Sequence, residues 1–405
     1  MNEKRLPLEG VRVLDFTWAW AGPQATLLLA LMGAEVIKVE SQRRLDHSRL
    51  RSLVAGPGMS GPDASFIFNT LNLNKLSVTL NLSKPEAIEI AKSLAKISDV
   101  VAQNMRPGVL ERLGLGYEDL KAVKPDIVML SSSAVGSSGP ERLYTGYAPT
   151  FAAMGGMAYI TGRAGGKPAP LMGTIDLRVG STGTFAVLAA LYHRKLTGEG
   201  QHIDLSSAEA VSALMGDAFM DYTMNGRVQD RVGNRDRAMA PHAVYRCRDD
   251  KWVSIAVGSE AEWRALRGVI GDLRLVEDSR FADAFSRWQN QEALDEIIGV
   301  WTAERTPIEV MDLLQPAGVA AMPVYGGEEI VEDRHVLSRG ILEEVEHPLM
   351  GKKKVLGPPW RLSKTPARVI RHGPLLGEHN DYVLGELLGM SKEEMERLAA
   401  DEVLY

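Results

Sequence analysis

One aspartate, Asp176, stands in the segment PLMGTIDLRVGSTG, which opens an apolar helix. An aspartate beside a helix N-terminus ordinarily caps it, accepting hydrogen bonds from first-turn N–H groups. The same side chain can instead act as a nucleophile. A carboxylate with an unperturbed pKa of about 3.9 is ionised at neutral pH and needs no base to activate it. It can attack a thioester carbonyl to form a mixed anhydride. The released thiolate can then attack the aspartyl carbonyl, leaving an enzyme-bound thioester. An adjacent helix terminus would favour the anion and supply oriented N–H groups. Residue type and position leave both readings open.

Other chemistries find little support. The only cysteine is Cys247, which excludes an intrachain disulfide and a cysteine metal cluster and reads as packing. No G-x-S-x-G elbow, Walker A loop or H-E-x-x-H helix occurs. The turn after the first strand reads TWAWAGPQ rather than G-x-G-x-x-G, which disfavours nicotinamide chemistry. The eight histidines are scattered and none pairs at metal spacing, so no metal is expected. With 46 basic and 52 acidic residues the chain is slightly acidic, and nothing in it favours nucleic acid.

These residues need a scaffold. The 405 residues suggest two or three domains of ordinary globular composition. Apolar, β-branched runs predict strands at 11–16, 35–40, 76–82, 99–104 and 126–134. Helical segments separate them: ATLLLALMGA ending near Gly33, SKPEAIEIAKSLAKIS with Ser83 as N-cap, PGVLERLGL and YEDLKAVK. Such alternation means an α/β domain with a mainly parallel sheet. Residues 137–170 are dense in Gly, Pro, Ser and Thr and read as irregular chain around one short apolar helix. The helix STGTFAVLAALYHRKLTG follows, then a short strand and helix in QHIDLSSAEAV. AVYRCRDDKWVSIAVG reads as a hairpin turning at Asp249 and Asp250, and amphipathic helices follow it. They suggest a smaller α+β domain over about 225–330. The start, MNEKRLPLEG, lacks the apolar core of a signal peptide, and no apolar run approaches the ~20 residues that span a bilayer. A soluble cytoplasmic enzyme with no membrane partner is expected.

The order of motifs closely resembles the family III CoA-transferases, which include formyl-CoA:oxalate and carnitine CoA-transferases and the α-methylacyl-CoA racemases. The matching pieces are PLEGVRVLDFT-WAWAGP, LMGAEVIKVE, NLNKLSVTLNL, DVVAQNMRPGVLERLGLGYEDL, PDIVMLSSSAVGSSGP, GTIDLRVGSTG, RKLTGEGQHIDLS and GPLLGEHNDYVLGELLG. The resemblance implies a large Rossmann-like, CoA-binding domain from residues 1–220 and 331–405, with the small domain at 225–330 between them. It further implies two chains threaded through each other as an interlocked dimer. Asp176 matches the aspartate that carries the acyl and CoA intermediates, so coenzyme A is expected as a substrate thioester.

The CoA site follows by position. The resemblance places Trp18, Ala19 and Trp20 near the pantetheine and acyl group, and Asn72 and Lys75 at the adenosine and phosphate end. Asn104, Met105 and Arg106 would line the thiol arm, Arg112 would reach a phosphate, and Tyr147 takes the next matched aromatic position. Without the resemblance, Lys75 and Arg112 read as solvated surface charges and the tryptophans as core. There are departures. Ser41 stands where many members have arginine, leaving Arg43 or Arg44 to reach the phosphates. Thr145 replaces a lysine of some transferases, and the glycine loop of the oxalate enzyme is reduced to AVGSEAEW around Gly258.

The rival enzyme reading is the racemase branch or an intramolecular CoA-transferase; racemisation needs two opposed acid/base groups, and the branch's histidine is missing from 145–150. GPERLYTGYAPTFAAMGGMAYITG, WAWAGPQ and ESQRRLDHSRLRS resemble the branch containing benzylsuccinate CoA-transferases of anaerobic toluene degradation, which exchange CoA between succinyl-CoA and an aromatic succinate. Trp18, Trp20, Tyr144, Tyr147, Phe151 and Met154 would then form a bulky pocket. Enzymes of that branch can be built from two related chains. The expected partners are thus an acyl-CoA, a carboxylic acid, and either a second copy or a paralogous chain. In the heteromeric case this chain could be the non-catalytic subunit.

Overall fold

Valine, isoleucine and leucine alternate through five short segments, and in the computed structural model these become strands of one parallel sheet. The structure describes residues 6–50 and 61–405. The start MNEKR, and Arg51 and Ser52 at the end of ESQRRLDHSRLRS, lie outside the described residues. The sheet comprises β1 (Arg12–Asp15), β2 (Glu35–Glu40), β3 (Leu76–Thr79), β4 (Val100–Gln103), β5 (Val128–Ser133) and β6 (His202–Ser206). Its order is β3-β2-β1-β4-β5-β6, and every pairing is parallel. This is the Rossmann-like doubly wound arrangement. The strand order reverses between β1 and β4, and a crevice for ligands opens there at the carboxyl ends.

Side-chain alternation fixes the two faces. Val13, Val36, Val100 and Val128 point to one face, under the helix Ala21–Leu31 and the long helix Thr174–Thr197. Leu14, Ile37, Val101 and Met129 point to the other, under the helices Pro85–Lys96 and Tyr117–Val123. Leu14 is wholly buried, which stabilises the fold by about 1.5–3 kcal/mol. The C-terminal segment joins this second face through Val383, Leu384, Leu398 and Val403. It also covers the outer edge of β3: the Asn380 amide accepts from Thr79 N–H at 3.0 Å, and His379 N–H donates to the Ser77 carbonyl at 3.0 Å. The edge strand is thereby not left open.

The chain forms two compact units: residues 1–158, 170–227 and 338–405, and residues 159–169 with 228–337. The second unit holds the antiparallel sheet β7 (His242–Arg246), β8 (Trp252–Ala256) and β9 (Ala320–Pro323), packed on Trp263, Leu266, Leu294 and Ile298. The turn between β7 and β8 carries Asp249 and Asp250 in the left-handed region, at φ 60° and 59°. Arg231 ties 159–169 into this unit through the carbonyls of Tyr159 and Gly166.

Several local expectations change. The long helix begins at Thr174, not Ser181. Ser83 lies outside its helix, which is flanked by Lys84, and its hydroxyl donates to Asn81 instead. Two short helices, Ala148–Met154 and Met157–Ile160, replace the single one in 137–170. A hairpin of β10 (Leu342–His347) and β11 (Gly351–Leu356) was not anticipated, because its charged residues mask the strand period. No helix among the described residues is long and apolar enough to cross a membrane.

Candidate active site

The loop between β1 and the helix Ala21–Leu31 is held at almost every peptide group. Asp15 accepts from Thr17 N–H at 2.8 Å and from the Thr17 hydroxyl at 2.6 Å. Lys38 donates to the Thr17 carbonyl at 2.6 Å. Asn104 takes Trp18 N–H on its amide oxygen and gives its amide N–H to the Trp18 carbonyl, both at 2.8 Å. Asp46 accepts Ala19 N–H at 2.9 Å, and the same oxygen accepts both N–H and hydroxyl of Ser48. Ala19 sits at φ 63°, a left-handed conformation that costs an L-residue about 1–2 kcal/mol. The Asp46 bond helps to hold it there.

Behind the loop lies a buried chain of charges. Lys75 pairs with Asp15 at 3.2 Å and Lys38 with Asp46 at 3.0 Å, all four side chains at most 1% exposed. Burial alone would raise the Asp15 carboxyl, but Lys75, Lys38 and the hydroxyls of Thr17 and Thr26 together hold it below its ordinary value. Asp46 is likewise kept low: burial opposes, while Lys38 and the Ser48 and Ala19 hydrogen bonds outweigh it. Lys38 is raised, burial being overcome by Asp46, Asp15 and Glu40. Lys75 is lowered to about 8, because burial outweighs Asp15 and Lys38 repels it.

This network takes up the side chains of two candidate residues. The resemblance puts Asn72 and Lys75 at the adenosine and phosphate end of CoA, whereas both side chains are wholly buried. The Lys75 ammonium is engaged by Asp15, the Pro23 carbonyl, Thr26 and Asn72, and the Asn72 amide also donates to Phe68. A buried ammonium with four oxygen neighbours has no donor left for a phosphate. Asn104 likewise holds the loop through both of its amide atoms.

Two cavities open on either side of this loop. The wider, about 520 Å³, lies at the carboxyl ends of β1 to β4 and is lined by Trp18, Ser41, Arg44, Met105 and Arg112 among others. The Arg44 guanidinium lies 4.4 Å from the Trp18 ring centroid, a cation–π contact. Arg43 also lines this cavity but is ion-paired with Glu402. Arg106 is exposed and lines neither cavity. The smaller cavity, about 180 Å³, is lined by Ala19, Trp20, His47, Tyr147, Met172 and Asp176 among others.

Asp176 is the third residue of its helix rather than the cap. The flanking position belongs to Gly173, at φ 66°, where a β-carbon would be strained. In the first turn, the helix dipole still favours the aspartate anion. The helix is set by close packing on the Ala21–Leu31 helix. A β-carbon on Gly180 would stand 2.6 Å from Gln24 Cγ and 2.8 Å from the Ala21 carbonyl oxygen. The Thr184 hydroxyl donates to the Ala25 carbonyl at 3.0 Å. Asp176 and the Trp18–Trp20 loop are thus placed by the same helix pair.

The proposed aromatic pocket is only partly assembled. Trp20 and Tyr147 line the Asp176 cavity, Trp18 lines the wider one, and Phe151 packs in the core beside Ala148 and Ile175. Met154 lines a separate cavity with Asp204 and Glu209, and Tyr144 is exposed. Thr145 lines none of these cavities. Gly258 lies in the second unit and donates its N–H to Glu262, just before the helix Glu260–Ile270. His47 was missed. No histidine lies in 145–150, but this one reaches the Asp176 cavity from another segment. A sequence signal existed: Asp-x-Ser forms an Asx turn, whose middle side chain is free to point outward. Among the described residues, no group of three or more His, Cys, Asp or Glu could hold a metal ion.

Residues 8–380 match the family model of CoA-transferase family III. The chain is 34% identical to succinyl-CoA–D-citramalate CoA-transferase of Chloroflexus aurantiacus, over 98% of each chain. It is 33% identical to the beta subunit of succinyl-CoA–L-malate CoA-transferase from the same organism, again over 98% of each. Among solved structures, a CaiB/BaiF family protein from Brucella suis superposes with a TM-score of 0.86 at 28% identity, covering 95% of this chain and 100% of the other.

Proposed function

Because the chain belongs to CoA-transferase family III, we propose that it moves CoA from succinyl-CoA to a second dicarboxylic acid, with Asp176 as the nucleophile. An Asp176 oxygen attacks the thioester carbonyl, the carbon–sulfur bond breaks, and CoA leaves as thiolate with an aspartyl–succinyl anhydride behind. The thiolate attacks the aspartyl carbonyl, releasing succinate and forming an aspartyl-CoA thioester. A carboxylate oxygen of the acceptor attacks that thioester, again freeing the thiolate and giving an acceptor anhydride. Attack of the thiolate on the acceptor acyl carbon yields the new CoA ester and restores Asp176. Every step is acyl transfer, so no oxidant is needed and the thioester energy is conserved.

The observation carrying this reading is the pair of cavities joined by one clamped loop, with Asp176 in the smaller. The nucleotide end of CoA suits the wider cavity, where Arg44 and Arg112 supply local cations to a chain of net charge −6. The thiol arm then passes the Trp18–Trp20 loop. Succinyl-CoA as donor follows the names of the relatives, as does an aliphatic hydroxy-dicarboxylate as acceptor. Benzylsuccinate remains the aromatic alternative, for which Trp20 and Tyr147 offer ring contacts. A cytoplasmic location suits a soluble acyl-CoA substrate.

The assembly completes the proposal. One relative is a beta subunit. On the Thr174–Thr197 helix, Leu177, Phe185, Tyr192 and Leu196 are 43–74% exposed, an apolar stripe suited to a second chain. We place there an interlocked second copy or a paralogue.

Asp176→Ala and Asp176→Asn are expected to abolish transfer while leaving the fold intact. Mass spectrometry after incubation with succinyl-CoA should find the adduct on the Asp176 peptide. An acceptor panel of malate, citramalate, glutarate and benzylsuccinate identifies the second acid. Undiminished transfer in either variant overturns the mechanism. Transfer appearing only when a paralogous chain is added would assign this chain the role of partner subunit.

A further inference from the structure

We propose that His47 recognises the far carboxylate of the dicarboxylic acyl group and sets the preference for dicarboxylates over monocarboxylates. The proposal rests on the acyl-transfer reading above. Three observations carry it. First, His47 is presented by a fixed turn. Its neighbours Asp46 and Ser48 are each only 2% exposed. One Asp46 oxygen accepts Ser48 N–H at 2.8 Å, the Ser48 hydroxyl at 2.7 Å and Ala19 N–H at 2.9 Å. Arg49 is buried as well, joined to Glu40 through two nitrogens at 2.9 and 2.8 Å. Of residues 46–49, His47 alone is exposed.

Second, the ring itself is oriented. It meets Trp18 edge to face, with centroids 5.6 Å apart and planes at 86°. Trp18 in turn carries the Arg44 guanidinium. Third, among the described residues the cavity's lining offers no other side chain of the right charge. Its described lining includes Ile67, Ala148, Pro149 and Met172, and only His47 among the lining side chains can become cationic. A dicarboxylate brought to Asp176 adds a second negative group beside a carboxylate nucleophile. Trp20, Ser48 and Tyr147 also line the cavity with neutral N–H or O–H groups, but a second carboxylate beside Asp176 is offset best by a partner that can carry positive charge. An imidazole donates a hydrogen bond in either protonation state and adds positive charge in one of them.

The test compares acceptors of equal length: glutarate against pentanoate, each with succinyl-CoA as donor. His47→Gln keeps a hydrogen-bond donor but never a charge; His47→Lys keeps a charge. His47→Ala, which removes the donor and the charge together, should lower the glutarate-to-pentanoate ratio of kcat/KM by about tenfold or more, mainly through KM, and His47→Gln should lower it less. His47→Lys should recover most of the ratio. Circular dichroism and thermal midpoints matching the wild type show that the variants fold. An unchanged ratio in His47→Ala overturns the proposal. If the wild type forms the Asp176 adduct and transfers CoA while the ratio does not move, only the His47 assignment fails. If the wild type transfers CoA to no acid, the transferase reading fails and takes this one with it.

Discussion

Asn104 holds Trp18 with both ends of its amide, and no other side chain has that pair of donor and acceptor at that reach. Asn104→Ala removes two hydrogen bonds and should cost about 1–3 kcal/mol of stability. It should also raise KM for succinyl-CoA, since Trp18 and Trp20 lose their fixed positions. Asn104→Asp keeps the acceptor but sets a carboxylate against the Trp18 carbonyl, so it should be the more damaging change. Urea denaturation and steady-state kinetics on both variants check this order. At this scale the sequence was partly legible. Asp176, the Trp-x-Trp loop, Met105, Arg112 and Tyr147 do line the two cavities. Asn72 and Lys75 do not, because a motif gives position along the chain but not the direction of a side chain. A clue lay elsewhere: Asp15 and Lys38 are charges inside apolar strands, and buried charges require partners.

The helix Thr174–Thr197 owes its placement to small residues as much as to apolar ones. Gly180 has the intrinsic helix propensity penalty of about 1 kcal/mol relative to alanine. On that ground alone Gly180→Ala would stabilise. A β-carbon 2.8 Å from the Ala21 carbonyl oxygen cannot be accommodated without moving the backbone, and overpacking of this kind costs about 1–3 kcal/mol. The thermal midpoint of Gly180→Ala should therefore fall, and transfer should fall with it as Asp176 shifts. Gly299 in the helix Gln291–Ala303 is the control, because a β-carbon there meets nothing within 4 Å. Gly299→Ala should raise the midpoint slightly and leave transfer unchanged. Element by element, the parallel strands were readable from their β-branched cores. The start of the long helix was not, since TIDLRVG is a poor local helix former stabilised by packing on its neighbour. The hairpin of β10 and β11 was hidden too, because its strands oppose glutamate and lysine rather than apolar side chains.

Over the whole molecule, the buried charges dictate how stability responds to pH. Asp15 and Asp46 have lowered folded values, so their contribution is complete above about pH 4 and is lost as pH falls through the folded values. Lys75 works in the other direction. Its folded value is about 8, below that of the free side chain, so the unfolded chain binds more protons between roughly 8 and 10.4 and stability from this group rises with pH there. Lys38, raised in the fold, keeps its contribution through that window and loses it only above. Urea midpoints should fall steeply below pH 4 and show no decline from these groups between 8 and 10. Asp46→Asn should flatten the acid limb. The topology was legible because alternating strands and helices, joined by right-handed crossovers, admit few sheets. The cover on the β3 edge was not, since it depends on residues some 300 positions away in the chain. One consequence of the clamped loop belongs to association rather than to folding. Thr17, Trp18 and Ala19 are immobilised by Asp15, Lys38, Asn104 and Asp46 from within the protein. The entropy of ordering them is lost when the chain folds, so an incoming thioester meets a preorganised surface and gives up only its own freedom.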